Sequence, residues 1–297
     1  MEVKAIQCKT ALYKIKGQRL PFEYDLNVFR GCGHGCKYCY ALYSHDYLEE
    51  ENFYDTLYYK ENIVEVLRKE LQAPSWKNKV INFGGVTDSY QPLEGKVKLM
   101  PELLKLMIEF KNPISISTKS SLILRDIDLI RELAEVTSVN IALTITCMDE
   151  SIRKVIEPDA TPSLNRFQAL NELSTTKASR GVHLMPIIPY LTDTEENLDE
   201  IFRFARDVKV DYILPGILYL RGKTRKSFYS FYENYDWQRC KQLKEVLWDK
   251  EKKYIYKKDL YQRINGYYKK YGMSSHSAKR KIEEMKKSYN QIEFDLE

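Results

Sequence analysis

The stretch "RGCGHGCKYC", residues 30–39, holds three cysteines and three glycines within ten positions. Its cysteines, Cys32, Cys36 and Cys39, follow the spacing C-x3-C-x2-C. Thiolate sulfur is the usual protein ligand of a [4Fe–4S] cube, and three thiolates leave the fourth iron open to an outside molecule. Glycines permit positive φ angles and let the backbone wrap closely around a bulky inorganic body. The stretch therefore predicts a loop that holds an iron–sulfur cluster.

A zinc knuckle is an alternative interpretation of the same thiols, with His34 or a distant cysteine as the fourth ligand. Zinc sites usually show two separated pairs of ligands, and the sequence has no second closely spaced Cys/His pair. Unliganded structural cysteines are a further alternative. The cluster is the favoured interpretation, and it makes His34 a loop residue that lines the cluster or the site.

The chain around this loop alternates between two kinds of segment. Short β-branched runs predict six strands: "DLNVFR", "KVINFG", "PISIST", "SVNIALTIT", "GVHLMPII" and "VDYILPG". Stretches with helical spacing lie between them, at 62–71, 99–110, 126–136, 162–173 and 194–208. This repetition predicts an α/β fold with parallel strands, either a partial (β/α)6 TIM-type barrel or, as the competing layout, a doubly wound open sheet. In a barrel, a loop after the first strand lies at the C-terminal mouth, where such folds carry their chemistry.

Charge divides the chain near residue 220. The whole sequence has 47 Lys+Arg and 42 Asp+Glu; residues 221–297 hold 20 and 11 of these, which leaves 27 and 31 for the first 220. We expect a lead segment at 1–22, a barrel at 23–220 and a basic, mainly helical extension at 221–297. The extension contains ten of the 23 tyrosines. It could bind a polyanion such as nucleic acid, or it could be a solvated helical face with tyrosines packed beneath it.

The sequence also bears on the compartment. Its apolar runs are too short to cross a bilayer, so we expect no membrane association, and "MEVKAIQCKTALYKIKG" has no apolar signal-peptide core. Three of the six cysteines crowd into one loop, whereas Cys8, Cys147 and Cys240 lie far apart. That distribution is typical of a reducing compartment and predicts a cytoplasmic protein.

The cysteine motif, with the aromatic Tyr38 before its third cysteine, resembles the radical S-adenosylmethionine (SAM) superfamily. The runs "RGCGHGCKYCYA", "GGVTDSYQPLE", "STKS" and "PIIP" together resemble its spore photoproduct lyase-like branch, over roughly residues 24–220. The resemblance implies that SAM chelates the open iron. It also implies that an electron from a reductant such as flavodoxin or ferredoxin splits SAM into methionine and a 5′-deoxyadenosyl radical, which abstracts a substrate hydrogen.

The same resemblance implies SAM contacts where the second and third strands end. Gly84 and Gly85 correspond to the glycine motif that meets the methionine amino group. The acid often found next in the family is missing here. Val86 and Thr87 come first, and Asp88 is the nearest carboxylate. After the third strand, Lys119 is expected to pair with the methionine carboxylate, and the hydroxyls of Ser117 and Thr118 to meet the ribose or that carboxylate.

Further SAM contacts are expected at the fourth and fifth strands. Thr144 and Thr146 alternate along the fourth strand, so that both hydroxyls can point inward toward the ribose. The edge formed by Ile188 and Pro189 is an apolar wall for adenine, which Tyr38 would cover from the cysteine loop. Two further polar residues, Glu157 and Arg166, either contact SAM or pair with each other across a loop.

The substrate is open at this stage. Spore photoproduct lyases repair a thymine dimer in DNA and use a cysteine near the second strand as hydrogen donor, but "KVINFGGVTDSYQP" contains none. Cys147 and Tyr90 are the alternative donors, because both are expected at the mouth of the barrel. The hypotheses are a lyase-like enzyme acting on nucleic acid, an enzyme modifying a peptide or small molecule, and a non-catalytic zinc-stabilised nucleic-acid-binding protein.

Overall fold

Parallel strands in chain order build the main sheet of this protein. The computed structural model describes residues 2–15, 22–45, 53–281 and 283–284. Its strands are β1 (Glu2–Ile6), β2 (Leu12–Lys14), β3 (Tyr24–Leu26), β4 (Phe29–Arg30), β5 (Thr56–Lys60), β6 (Ile81–Phe83), β7 (Ile114–Thr118), β8 (Val139–Thr144), β9 (Ser179–Ile187) and β10 (Tyr212–Ile217). Its α-helices are α1 (Ile63–Leu71), α2 (Glu94–Val97), α3 (Leu99–Glu109), α4 (Ile127–Val136), α5 (Glu150–Ile156), α6 (Ser163–Glu172), α7 (Glu195–Asp207), α8 (Gly222–Tyr235), α9 (Trp237–Trp248) and α10 (Lys250–Lys270).

The order of the strands identifies the architecture. The main sheet runs β2-β3-β6-β7-β8-β9-β10, with β2 antiparallel to β3 and all other pairs parallel. The six parallel strands therefore follow the chain without the reversal that marks a doubly wound sheet. Because β2 and β10 do not pair with each other in the described residues, the barrel stays open. The predicted partial (β/α)6 barrel with a helical extension is confirmed.

The first predicted strand is divided in the structure. Only Tyr24–Leu26 joins the main sheet, whereas Phe29–Arg30 pairs antiparallel with β5 in a separate three-stranded sheet that also contains β1. Asn27 lies at the division, where its side chain bonds Asp25 and the backbone N–H of Val86 instead of a strand partner. β1, β2 and β5 were not predicted, because β1 and β2 carry mostly exposed residues and the Tyr/Lys content of β5 hides the apolar pattern of a buried strand.

A polar layer lies in the interior of the barrel near the N-terminal ends of β7, β8 and β10. The Asn140 amide donates to Ser115 Oγ (3.2 Å) and to the Tyr212 hydroxyl (3.0 Å), and all three residues are buried. The ring of Tyr212 lies directly over Gly181, where a Cβ would be 2.1 Å from its Cζ atom. A side chain at this position would collide with the ring. Glycine is therefore what lets tyrosine close the interior at this level.

The extension is helical and packs on the barrel. Asp236 and Asp249 cap α9 and α10 by accepting backbone N–H groups. Leu260, Ile264 and Tyr268 of α10 are buried in the main hydrophobic core. Some tyrosines of the extension are thus core residues, and others have exposed rings. Among the residues that the structure describes, no helix is both long enough and apolar enough to span a bilayer.

We expect Gly181→Ala to destabilise the fold by about 1–3 kcal/mol, since the added methyl group overpacks the Tyr212 ring. Urea unfolding of the anaerobically purified protein measures this change. Gly266→Ala is the control: it lies in α10 with nothing within 4 Å of the added Cβ, so we expect a gain of roughly 0.5–1 kcal/mol from helix propensity. Equal stability of both variants would contradict the closed layer.

Candidate active site

The cysteine loop runs from the end of β4 to a 3-10 helix at Tyr40–His45. Two of its glycines have positive φ angles, +77° at Gly31 and +66° at Gly35. A Cβ at Gly31 would be 2.8 Å from both Leu57 Cδ2 and the Phe53 carbonyl oxygen, and one at Gly35 would be 2.9 Å from a Pro158 ring carbon. The loop therefore needs glycine at both positions, for backbone conformation and for space.

The three thiols of this loop lie inside the protein. Cys32 and Cys36 are buried and Cys39 is half-buried, and none of them forms a disulfide. Burial raises the pKa of all three thiols, that of Cys36 to about 12, and the charges of Cys36 and Cys39 also raise the pKa of Cys32. Thiolates at these positions would need a positive partner, which a metal cluster supplies.

The donor set of the loop fits an iron–sulfur cluster. Three soft sulfur ligands project from one short segment whose glycines let the backbone bend around them. Among the described residues, no three or more His, Cys, Asp or Glu side chains form a group that could hold a single ion. A cube with four irons does not require its ligands to converge on one ion. Cys32, Cys36 and Cys39 are the residues that would hold the cluster.

Side chains from the segment after β6 anchor the loop. The Gln91 amide and the Thr87 hydroxyl both donate to the Gly31 carbonyl oxygen, at 3.2 and 2.8 Å. Gln91 Oε1 in turn accepts the backbone N–H of Gly33 at 2.7 Å. Thr87 is thus brought to the loop as a backbone anchor, a different role from the SAM contact expected of it. Gln91 was missed, because its partners are backbone groups that no sequence pattern identifies.

Asp88 links the loop to the end of β7. Its Oδ2 lies 3.1 Å from His34 Nε2 and accepts the Lys119 backbone N–H at 2.8 Å. Its Oδ1 accepts the Thr118 hydroxyl at 2.7 Å and the Tyr90 backbone N–H at 2.9 Å. Burial alone would raise the pKa of Asp88, but the His34 charge and these hydrogen bonds lower it to about 2. The structure therefore joins Asp88 and Thr118 to each other and to His34.

The glycine pair after β6 is fitted against a buried carboxylate. Gly85 donates its N–H to Asp25 Oδ1 at 3.1 Å, and a Cβ on Gly85 would be 2.1 Å from the same carboxylate. Asn82 also donates to Asp25 Oδ1, at 2.8 Å. Gly84 has a φ of +89°, and Tyr40 donates its hydroxyl to the Gly85 carbonyl oxygen. At Gly84 and Gly85, directly after β6, the backbone therefore approaches neighbouring groups more closely than a residue with a side chain would allow.

Glu157 and Arg166 form a fully buried ion pair. Arg166 Nη2 donates to Glu157 Oε2 at 2.5 Å, and both side chains have no exposed surface. Glu157 Oε1 accepts the hydroxyls of Tyr38 and of Thr146 (2.9 Å), and Arg166 also donates to the Thr144 carbonyl oxygen at 2.7 Å. The pair thus ties the cysteine loop to the end of β8, which is the second of the two roles expected of it.

Lys119 lies close to the cysteine loop and interacts electrostatically with the carboxylates of Asp88 and Glu157. Its Nζ is 5.7 Å from the centre of the Tyr38 ring. Burial alone would lower the pKa of Lys119, but Cys36, Glu157 and Asp88 raise it, so the ammonium keeps its charge. A permanent cation beside Cys36 suits the predicted contact with the methionine carboxylate.

His183 is a polar residue at the mouth that the sequence analysis missed. It is half-buried on β9, beside Thr144 in the sheet register, and its Nδ1 lies 3.0 Å from Ser117 Oγ. Burial and the Lys119 charge lower the pKa of His183 to about 4, so its ring is neutral at pH 7. Ser117, predicted as a SAM contact, therefore orients an imidazole. The sequence signal that could have identified His183 was a single histidine at an inward position of a strand.

The two candidate hydrogen donors occupy different places. Cys147 packs in one cluster of buried side chains with Cys36, Tyr38 and Ile188, and Pro189 is buried next to this cluster. Tyr90, expected at the mouth, lies instead in the main hydrophobic core with no exposed surface. The turn after Asp88 directs the Tyr90 ring toward Asp126, away from the cysteine loop. The geometry favours Cys147.

We expect Glu157→Gln to lower the free energy of unfolding by about 3–5 kcal/mol at pH 7, because it leaves Arg166 buried without its counter-ion. The folded pKa of Glu157, about 2, lies below the ordinary 4.5. The stabilisation by the ionised pair is therefore complete above about pH 4.5 and is lost as the pH falls toward 2. The difference between wild type and variant should shrink over that range in urea titrations.

Glu109→Gln is the matched control for this measurement, since Glu109 pairs with Arg68 on the surface. We expect no measurable change at any pH from the loss of an exposed pair. A pH-independent difference between wild type and Glu157→Gln would contradict the ionised buried pair.

Two relatives are similar in sequence to much of this chain. The chain is 33% identical over 227 residues to an uncharacterized protein of Mycobacterium tuberculosis (strain ATCC 25618 / H37Rv), covering 75% of this chain and 67% of the relative. It is 32% identical over 183 residues to an uncharacterized protein of Methanocaldococcus jannaschii, covering 62% and 67%. Both similarities concern proteins without a described activity.

Solved structures show the same fold. Spore photoproduct lyase complexed with dinucleoside spore photoproduct superposes with a TM-score of 0.57 at 15% identity, covering 77% of this chain and 66% of that chain. A variant with bound AdoMet and the same dinucleoside gives 0.56, covering 77% and 65%. This chain thus spans about two thirds of the length of the lyase. Residues 26–231, which include the three cysteines and the ends of β6, β7, β8 and β9, match the family model of the radical SAM superfamily, and the chain belongs to that superfamily.

Proposed function

We propose that this protein binds a [4Fe–4S] cluster through Cys32, Cys36 and Cys39, cleaves SAM reductively and abstracts a hydrogen atom from its substrate. One observation carries the proposal. Three thiols on a glycine loop, two of them buried and one half-buried, meet the ends of the parallel strands, at the mouth where this fold carries its chemistry. When bound, the cluster supplies the electron that splits the sulfonium bond of SAM.

The chain's own residues would position SAM and exclude water. Lys119 is the cation for the methionine carboxylate, and the close backbone at Gly84 and Gly85 is suited to the amino group. The buried Tyr38 and Ile188 offer apolar surface to adenine. Thr87, Asp88, Ser117, Thr118, Thr144, Thr146 and Pro189 remain the further predicted SAM contacts. Removing water from such a site prevents a radical from reacting with solvent.

The proposed substrate is nucleic acid, modified in a lyase-like manner such as DNA repair. Support comes from the fold shared with spore photoproduct lyase, whose structures contain a dinucleoside, and from the basic extension. The electron would come from a reductant of the flavodoxin or ferredoxin kind. A cytoplasmic location suits a protein whose six cysteines are all free.

The cluster is tested with Cys36→Ala. We expect about four irons with inorganic sulfide per chain in the anaerobically reconstituted wild type, and 5′-deoxyadenosine after reduction with dithionite. The variant should lose most of the iron and form no 5′-deoxyadenosine. Cys240→Ala, which changes an equally buried thiol in α9, should behave as wild type. One zinc per chain without sulfide would support the zinc alternative and overturn the proposal.

We propose Cys147 as the hydrogen donor to the substrate radical. Burial raises the pKa of the Cys147 thiol to about 12, so it keeps its proton at neutral pH, and its Sγ lies 3.5 Å from the Asp149 carbonyl oxygen. We expect Cys147→Ser to form 5′-deoxyadenosine normally but to lower product formation at least tenfold with any nucleic acid that stimulates SAM cleavage. Mass spectrometry of products measures this, and full turnover would exclude Cys147.

A further inference from the structure

A basic rim borders the mouth of the site on the side of the extension. The rim consists of Tyr40, Tyr219, Arg221, Arg225 and Lys226, which are all exposed. Two contacts place it at the site. The Thr224 hydroxyl, in the first turn of α8, donates to the Cys39 carbonyl oxygen at 2.9 Å. The helix α8 also packs on the 3-10 helix that begins at Tyr40. The rim thus lies directly beside the third cysteine of the cluster loop.

The charge of the rim is of one sign. The segment 212–232, between Asp211 and Glu233, contains four cations and no carboxylate. The nearest acid along α8, Glu233, pairs with Lys244. Arg221, Arg225 and Lys226 form no ion pair with any residue in the described parts of the chain. A group of cations such as Arg221, Arg225 and Lys226 attracts polyanions and raises their local concentration.

Two exposed rings accompany these cations. Tyr219 is 68% exposed and Tyr40 is 59% exposed. The Tyr40 ring is nevertheless held in place, because its hydroxyl donates to the Gly85 carbonyl oxygen across the mouth. A fixed ring with a free face is a platform on which an unpaired base can stack without a large loss of side-chain entropy.

We propose that the rim binds an unpaired nucleic-acid strand, with its cations on the phosphates and with Tyr219 and Tyr40 stacking on bases at the mouth. The inference rests on the proposed function, and it narrows the substrate class from nucleic acid to an unpaired nucleic-acid strand. It assigns strand binding to the start of α8, within the basic extension, rather than to the outer face of α10. On α10 the cations alternate with Glu251 and Asp259, and Asp259 pairs with Arg263.

The test compares two charge reversals of equal size. In one variant Arg225→Glu is combined with Lys226→Glu, and in the control Lys257→Glu is combined with Lys258→Glu, on exposed positions of α10. Fluorescence anisotropy measures the Kd of the reconstituted protein for a labelled mixed-sequence single strand of about 15 nucleotides. The same strand in duplex form and an RNA strand of equal length are measured beside it, each over a series of salt concentrations.

We expect the rim reversal to raise the Kd at least tenfold and to reduce the salt slope of log K by about 1.4, since each phosphate contact of a single strand contributes about 0.7. The α10 reversal should leave both values near those of wild type. For the rings, Tyr219→Ala should raise the Kd roughly tenfold, whereas Tyr254→Ala, an equally exposed ring on α10, should not.

Several outcomes would overturn the inference. Equal effects of the two reversals would place the binding elsewhere, and tighter binding of duplex than of single strand would exclude an unpaired ligand. Suppose that the rim reversal spares strand binding but abolishes SAM cleavage with flavodoxin while cleavage with dithionite persists. The rim would then be the docking surface of an acidic electron donor.

The same protein preparations separate this inference from the proposed function. SAM cleavage without any strand binding would contradict the rim proposal and leave the radical SAM function standing. Strand binding by a protein that holds no iron and forms no 5′-deoxyadenosine would contradict the proposed function.

Discussion

Two buried carboxylates hold the mouth of this barrel together. Asp88 connects the cysteine loop to the end of β7, and Glu157 connects it to the end of β8. Each would be costly to bury alone, and each is compensated by a cationic or hydrogen-bonding partner that comes from a different strand end. The position of the thiols therefore depends on charge neutralisation across the sheet, in addition to the conformation of the loop.

Arg166 and His34 are both paired with a carboxylate, and Lys119 is the further cation that faces the cysteine loop. Arg166 donates its hydrogen bonds to Glu157 and to backbone carbonyl oxygens, and the His34 ring contacts the Asp88 carboxylate. Lys119 interacts electrostatically with Cys36, Glu157 and Asp88 at once. A loop that carries three thiolates and a ligand with a carboxylate both need positive charge, and one ammonium group beside Cys36 can serve both. The site thus combines three closely spaced thiols, a fixed cation and apolar walls.

The sequence predicted what depends on local pattern. The parallel strands, the crossover helices and the cysteine loop follow from periodicity and spacing, and the structure contains them. It could not reveal β1 and β5, because their exposed or Tyr/Lys-rich residues lack a buried alternation. Pairings across space were equally hidden. Nothing in the chain indicates that Asp88 meets His34, or that Tyr90 turns into the core two residues later. Such roles depend on how strand ends converge.

The tyrosine that lies over Gly181 fills the interior of the barrel at the level of Ser115 and Asn140. The three side chains are buried there and hydrogen-bonded to one another, so this level of the barrel is packed with protein atoms. A molecule that meets the cysteine loop would then enter from the end at which the parallel strands finish, beside the first turn of α8 and its cations.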